Sequence, residues 1–154
     1  MTLDALIAPD AVFPHLRAGS KKQLLNDLAG RAADRLGLEP RAVFDALMDR
    51  ERLGATAMGR GVAVPHARMP GVERITGFFG RLEKGVDFDA ADDAPVDLVF
   101  LLIAPESSGA DHLRALARVS RLLRDEGRCA KLRATSDAGA LYAILVEDLA
   151  SDAA

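Results

Sequence analysis

His66 is the residue of this sequence best placed for chemistry. It follows a short β-branched run (residues 62–64) and Pro65, and Gly59 and Gly61 precede that run. Because proline fixes φ and has no N–H for a sheet ladder, we expect the strand to stop at Pro65 or to run along an edge, with His66 where strand becomes loop. A neutral imidazole is a competent nucleophile, so His66 is a candidate acceptor of a phosphoryl group. A histidine hydrogen-bonded at a strand end for structural reasons explains the local pattern equally well.

Glycines and a hydroxyl group close to His66 could hold such a phosphoryl group. Gly59 and Gly61 would let backbone N–H groups approach it closely, and Thr56 offers its hydroxyl. We therefore treat Thr56, Gly59 and Gly61 as candidate phosphoryl-binding residues.

Three arginines could supply positive charge to the same group. Arg50 could neutralise the transferring phosphoryl group by bidentate contact, although its place in the last turn of a predicted helix suits the helix dipole by itself. Arg60 and Arg68 are closer to His66 in sequence. We expect both to be exposed and to contact a partner protein.

A second histidine, His112, lies in the first turn of a predicted amphipathic helix, at the edge of its apolar stripe. A helix N-terminus favours anions and disfavours protonation of a nearby imidazole, so two neutral imidazoles could converge on a phosphoryl group there. A boundary histidine that stabilises the helix start is the alternative that the local sequence favours. His15, beside Pro14, has no acid or glycine framework around it and is predicted to be a surface residue.

Other chemistries find little support in the residue spacing. His66, His112 and Asp111 could offer metal ligands, but the sequence has none of the usual metal-binding spacings, and we expect no metal and no cofactor. Ser107 and Ser108 lack the strand–nucleophile–helix turn of a hydrolase, and there is no glycine-rich nucleotide loop. Phosphoryl transfer without a nucleotide needs an activated donor, such as the phosphohistidine of another protein.

The composition is that of an ordinary globular protein. The chain has 154 residues, of which 49% are hydrophobic and 28% charged, and its net charge of −3 without a basic run argues against nucleic-acid binding. Its one cysteine, Cys129, is expected to be a small buried side chain. No apolar run approaches the roughly 18 residues of a membrane span, and residues 1–4 do not begin a signal peptide, so we expect a cytoplasmic protein without membrane insertion.

Helices are predicted before and after a group of strands, which indicates a single-domain α/β sandwich with a mixed sheet and helices on both sides. A capping box at Ser20 and Gln23 opens a helix that ends at Gly37, and Pro40 opens a second that stops by Gly54. Strands are predicted at 62–64, 75–82 and 96–104, with a possible edge piece at 86–88, and further helices after Pro105, around 128–132 and at about 136–145. Residues 1–19 read as an irregular or short-strand lead-in and residues 150–154 as a frayed tail. The predicted buried stripe of the helix after Pro105 is Leu113, Leu116, Ala117, Ser120 and Leu123.

The segment from Asp49 to His66 (DRERLGATAMGRGVAVPH) resembles the signature of the fructose/mannitol type of enzyme IIA of the phosphoenolpyruvate-dependent phosphotransferase system. The resemblance continues in the blocks PVDLVF (95–100) and DHLRAL (111–116) and covers about residues 20–148 of a single domain, 1–154. It implies that His66 is phosphorylated by an HPr-type phosphocarrier protein, and that Arg50 and His112 stabilise the phosphoryl group. It also implies a mixed sheet flanked by helices.

Within this family the chain looks most like the nitrogen-related, regulatory enzyme IIA. That resemblance implies a phosphoacceptor whose phosphorylation state alters binding to a target such as a potassium transporter or a sensor kinase. A sugar-specific component that passes phosphate to a IIB domain is one alternative, and a binding module with a vestigial histidine is another. An apolar docking patch around His66 is expected in either relay, with Met58, Met69 and Phe79 as candidates that the sequence does not distinguish from core residues.

Overall fold

The most apolar segment of the chain forms the centre of the fold. In the computed structural model, which describes residues 2–147, this segment is a strand buried along almost its whole length, as both faces of the sheet are covered by helices. The helices are α1 (Leu3–Leu6), α2 (Lys21–Leu36), α3 (Pro40–Arg52), α4 (Gly109–Arg124), α5 (Glu126–Arg133) and α6 (Ala138–Val146). The strands are β1 (Ile7–Leu16), β2 (Ala57–Gly59), β3 (Val62–Ala63), β4 (His66–Met69), β5 (Thr76–Val86) and β6 (Val96–Pro105).

The strands form one mixed sheet in the order β1-β5-β6-β3-β2, and β4 also pairs with β6. β5 runs antiparallel to β6 along one edge of it, whereas β3 and then β4 run parallel to β6 along the other. The predicted α/β class, with a mixed sheet between helices, is confirmed. The sheet order was not predicted, because the pairing of distant strands leaves no local signal.

The helices begin and end where their capping residues predict. The Ser20 hydroxyl accepts from the Gln23 N–H at 3.2 Å, and the Gln23 side chain accepts from the Gly19 N–H at 2.7 Å. α2 ends at Gly37, whose φ of +68° is one that glycine adopts without strain. Pro40 begins α3, which packs against β4 and so brings the end of this helix to the sheet edge.

Of the alternatives predicted for residues 1–19, the strand is present but longer than predicted, and the short helix before it was missed. The segment contains α1 and the ten-residue edge strand β1, in which Pro9 and Pro14 are tolerated because an edge strand leaves one side unpaired. At the other end, the tail predicted at 150–154 lies outside the described residues, as does residue 148, the end of the predicted core. The possible edge piece at 86–88 is also wrong, since β5 extends to Val86 and Phe88 is a buried residue beyond it.

Of the two alternatives predicted at Pro65, the chain follows the second and runs along an edge of the sheet, but the placement of His66 where strand becomes loop was wrong. Pro65 interrupts the ladder, but its carbonyl accepts from the Leu102 N–H at 3.0 Å, and pairing with β6 resumes at His66, opposite Leu102. His66 is therefore the first residue of a strand and not part of a loop. Its position is set by the central strand of the core.

The buried stripe of α4 is shifted from the predicted one. Its buried members are His112, Ala115, Val119, Leu122 and Leu123, whereas Leu113 is 64% exposed. The prediction placed the larger apolar residues on the buried side of α4. In the structure His112 is on that side, where it contacts Arg68 of β4. Cys129 is buried as predicted, and burial raises the pKa of its thiol.

Candidate functional site

The end of α3, the start of α4 and β4 surround a depression of about 510 Å³. It is lined by two histidines, two arginines, one acid and five apolar side chains: His66, His112, Arg50, Arg68, Asp49, Ala46, Leu53, Ala67, Leu113 and Leu116. The structure thus brings together His66, His112 and Arg50, as the sequence predicted. A larger depression of about 590 Å³ lies beside α1 and residues 71–76, but no histidine lines it.

His66 presents one ring nitrogen as a potential nucleophile. Its Nδ1 lies 2.9 Å from the backbone oxygen of Val64. A carbonyl only accepts hydrogen bonds, so in the neutral ring the proton is on Nδ1 and the lone pair on Nε2. This contact therefore leaves Nε2 as the ring nitrogen that could act as a nucleophile.

Burial keeps His66 neutral. It lowers the pKa of this half-buried ring from 6.5; the hydrogen bond to Val64 opposes that shift, and the nearby cations Arg50 and Arg68 add to it. At neutral pH the imidazole is uncharged and has a lone pair to give.

His112 faces His66 as a second neutral imidazole. The two ring centroids are 5.4 Å apart, and the His112 side chain is buried. Burial, followed by the neighbouring His66 and Arg68, lowers the pKa of His112 to about 4. The Nε of Arg68 donates to Nδ1 of His112 at 3.0 Å, and Nε2 of His112 has no hydrogen-bond partner within residues 2–147.

Arg50 brings a positive charge to the depression from the last turn of α3. Its Nη1 donates to the carbonyl of Gly54 at 2.9 Å, which anchors the guanidinium through one of its five N–H groups. The pair of cations Arg50 and Arg68 next to two neutral imidazoles suits a group with two negative charges.

Glu51 supports this arrangement, and the sequence analysis missed it. Its buried carboxylate lies 2.7 Å from Nζ of Lys21 and accepts from both the backbone N–H, at 3.1 Å, and the hydroxyl of Thr56. The network ties the end of α3 to the loop that follows Arg50. A glutamate next to an arginine is too common to signal burial, so no sequence pattern would have found it.

None of the three predicted phosphoryl-binding residues lines the depression that holds His66. Thr56 is buried and its hydroxyl is engaged by Glu51, so it does not line the depression. Gly59 and Gly61 flank the β2–β3 turn with φ of +90° and +81°, a conformation that glycine allows.

The register along β6 separates these glycines from His66. Val62 lies opposite Leu98 and His66 opposite Leu102, so Gly61 is more than about 13 Å away along the strand. A Cβ on Gly61 would lie 2.8 Å from Nη2 of Arg133, which indicates that its role is close packing. The sequence proximity of Gly61 to His66 was therefore misleading.

Arg60 and Arg68 are both exposed, as predicted, but only Arg68 belongs to the site. Arg60 pairs with Glu126 at 2.6 Å, close to the β2–β3 turn. Arg68 contacts His112, a role that the sequence analysis missed. Once β4 is known to continue past His66, the two-residue spacing would have placed both side chains on one face.

The predicted apolar patch has different members. Phe79 and Met69 are core residues, with exposed fractions of 0% and 5%, and Met58 is half-buried against the core. Instead, the large exposed apolar residues within 2–147 are Leu53 (83%) and Leu113 (64%), and both line the depression. An apolar pair beside a polar site is typical of a surface that binds another protein.

The described residues offer neither a metal-binding cluster nor a membrane-spanning helix. Within residues 2–147, no three or more His, Cys, Asp or Glu side chains form a group that could hold a metal ion. None of the helices in the same range has the length and apolar character of a membrane span.

Comparison with known proteins gives consistent matches along the chain. Residues 5–148 match the family model described as phosphoenolpyruvate-dependent sugar phosphotransferase system, EIIA 2. A nitrogen regulatory protein of Bradyrhizobium diazoefficiens is 54% identical over 145 residues, which cover 94% of this chain and 95% of that protein. A PTS system fructose-specific EIIA component of Haloferax volcanii is 38% identical over 119 residues, covering 77% and 74%. The crystal structure of nitrogen regulatory protein IIA-Ntr from Neisseria meningitidis matches with a TM-score of 0.88 and 34% identity, over 93% of this chain and 98% of that one.

Proposed function

Since this chain belongs to the EIIA type 2 family of the phosphoenolpyruvate-dependent phosphotransferase system, we propose that it accepts a phosphoryl group on His66 from an HPr-type phosphocarrier protein. The observation that carries this proposal is the bond between Nδ1 of His66 and the Val64 carbonyl, which leaves Nε2 free to attack. The lowered pKa of the ring keeps that atom unprotonated at neutral pH. The chain acts as a cytoplasmic phosphotransferase component that needs no cofactor.

The transfer exchanges one phosphorus–nitrogen bond for another. The lone pair of His66 Nε2 attacks the phosphorus atom of the donor's phosphohistidine, the donor's bond breaks in line, and the donor ring recovers its lone pair. The proton remains on Nδ1. Its hydrogen bond to the Val64 carbonyl stabilises the positive charge that the ring acquires. Arg50 and the Nε2–H group of His112 stabilise the phosphoryl oxygens.

The same surface serves regulation in this proposal. Its nitrogen regulatory relatives favour a protein whose phosphorylation state alters binding to a target, such as a potassium transporter or a sensor kinase. The relative named as a fructose-specific EIIA component favours a second candidate, in which the group passes on to a cysteine of a IIB domain and then to sugar. Transfer to a IIB domain in a membrane assay distinguishes the two.

Intact-mass analysis tests the phosphoacceptor. The protein is incubated with phosphoenolpyruvate, enzyme I and HPr, or their nitrogen-branch paralogues, and one acid-labile phosphoryl group is expected. His66→Ala should abolish it, whereas His15→Ala, which removes an exposed histidine outside the site, should not. Labelling of a folded His66→Ala protein would overturn the assignment, and no labelling with any active carrier would favour a pure binding module.

A further inference from the structure

The contact between Arg68 and His112 determines where the proton of His112 resides. A guanidinium has N–H donors, no acceptor and a permanent charge, so the 3.0 Å contact from Nε of Arg68 occupies the lone pair of Nδ1. The neutral ring then carries its proton on Nε2. This is the buried atom that has no hydrogen-bond partner within residues 2–147.

We propose that Arg68 is a positioning residue for phosphoryl transfer, which acts through His112 by holding its proton at Nε2, where the ring can donate to the phosphoryl group on His66. This role rests on the proposed function of the site. It differs from that of Arg50, which would contact the phosphoryl group itself.

The strand geometry links Arg68 to the acceptor. His66 and Arg68 are two residues apart on β4, so their side chains leave the same face of the sheet. Their partners on β6 are Leu102 and Ala104, both fully buried. A rigid strand thus carries both the nucleophile and the residue that orients the second imidazole.

The groups that shift the pKa of His112 all favour its neutral ring. After burial, His66 and the cation of Arg68 contribute to its low pKa of about 4. Arg50 and Asp49 from α3 line the same depression, and on α4 itself the carboxylate of Asp111 lies 2.7 Å from Arg114. Arg68 is therefore both the hydrogen-bond donor and one of the charges that keep the ring neutral.

Two substitutions at position 68 separate a donor from its absence. In Arg68→Lys the ammonium group keeps N–H donors and, like the guanidinium, has no acceptor. Arg68→Met has a similar length and no donor. Arg114→Met is the matched control, because it removes an arginine on α4 that does not line the depression.

Nitrogen NMR of the imidazole rings measures the proposed effect directly and without any phosphoryl donor. In the wild type and in Arg68→Lys, Nδ1 of His112 should be unprotonated and should show the signature of a hydrogen-bond acceptor. In Arg68→Met that signature should be lost and the proton should divide between both ring nitrogens. An unchanged His112 spectrum in Arg68→Met would overturn the inference even if His66 is phosphorylated normally.

Transfer kinetics then test whether the effect passes through His112. Arg68→Met should slow phosphorylation of His66 about tenfold, with Arg68→Lys and Arg114→Met much closer to the wild type. In a His112→Ala background, which has no ring for Arg68 to orient, the further change Arg68→Met should have less than about a twofold effect. A tenfold effect that persists there would mean that Arg68 acts on the phosphoryl group or on docking, and would overturn the inference. A wild-type protein that takes no phosphoryl group would instead overturn the proposed function, and this role with it, while the NMR result would still stand.

Discussion

The imidazole rings of His66 and His112 meet edge to face, with their centroids 5.4 Å apart and their planes at 72°. Such a contact is stable only while at most one ring is charged, because two imidazolium ions at this distance would repel each other in a partly buried site. The pKa values of both rings are lowered accordingly, mainly by burial. The pair is thus held in the neutral form that phosphoryl transfer requires.

Acidification should therefore destabilise the protein through His112. The pKa of His112 is about 4 in the folded protein and 6.5 in the unfolded chain. Between these pH values the unfolded chain binds more protons than the folded one, so the free energy of unfolding falls as the pH falls. We expect the melting temperature of the wild type to fall more steeply from pH 6.5 to pH 4 than that of His112→Gln. Equal slopes in thermal melts of the two proteins would contradict the low pKa.

Removing the donor group of His112 should slow the transfer but leave the acceptor. His112→Ala loses an N–H group that would act on the phosphoryl oxygens, which we expect to cost about 100-fold in the rate. Rapid-quench measurement of His66 phosphorylation checks this, with complete labelling still reached at long times. His15→Ala serves as the control, and a His112→Ala protein as fast as this control would exclude the role.

A negative charge on the apolar rim of the depression, formed by Leu53 and Leu113, should weaken docking of the phosphocarrier without changing the transfer step. Leu53 and Leu113 are 83% and 64% exposed, so Leu53→Asp and Leu113→Asp should fold normally yet raise the KM for the phosphocarrier about tenfold or more. Ala42→Asp places the same charge on an exposed position of α3 that does not line the depression, and should have little effect.

A small donor separates docking from transfer in these variants. Phosphoramidate needs no protein interface, so all three aspartate variants should react with it at the wild-type rate. If Leu53→Asp and Leu113→Asp slowed both reactions equally, the rim would belong to the reaction site and not to a docking surface.

Thr56 should matter for stability and not for transfer. Thr56→Val keeps the shape of the side chain but removes the hydroxyl that donates to the buried Glu51, which should cost about 1–3 kcal/mol in the free energy of unfolding. Denaturant unfolding measures this cost, and the phosphorylation rate per folded molecule should be unchanged. A stable Thr56→Val protein with slow transfer would restore Thr56 to the phosphoryl site.

Local patterns predicted the parts of the fold that local interactions determine. The capping box of Ser20 and Gln23 placed the start of α2, and the continuous apolar run predicted the buried strand β6. The renewed pairing with β6 at His66 was not predicted, because it depends on the hydrogen bond from the Leu102 N–H to the Pro65 carbonyl. Strand pairing between segments far apart in sequence leaves no periodicity to detect.

The candidate site residues were easier to predict from the sequence than the residues that contact them. His66, Arg50 and His112 were proposed from residue type and family resemblance, and the structure places them around one depression. The contact from Arg68 to His112 joins residues 44 positions apart, so nothing near either residue indicates it. Proximity in sequence favoured Gly61 instead, which the β6 register separates from the site.

The two guanidinium groups in the depression have a consequence for how a partner could recognise this protein. Unmodified, Arg50 and Arg68 give an apolar-rimmed surface two positive charges, whereas a phosphoryl group on His66 would bring nearly two negative charges to the same place. A target resting on Leu53 and Leu113 would then meet either a cationic or a nearly neutral surface. The signal would be a change of electrostatic potential, read without any movement of the backbone.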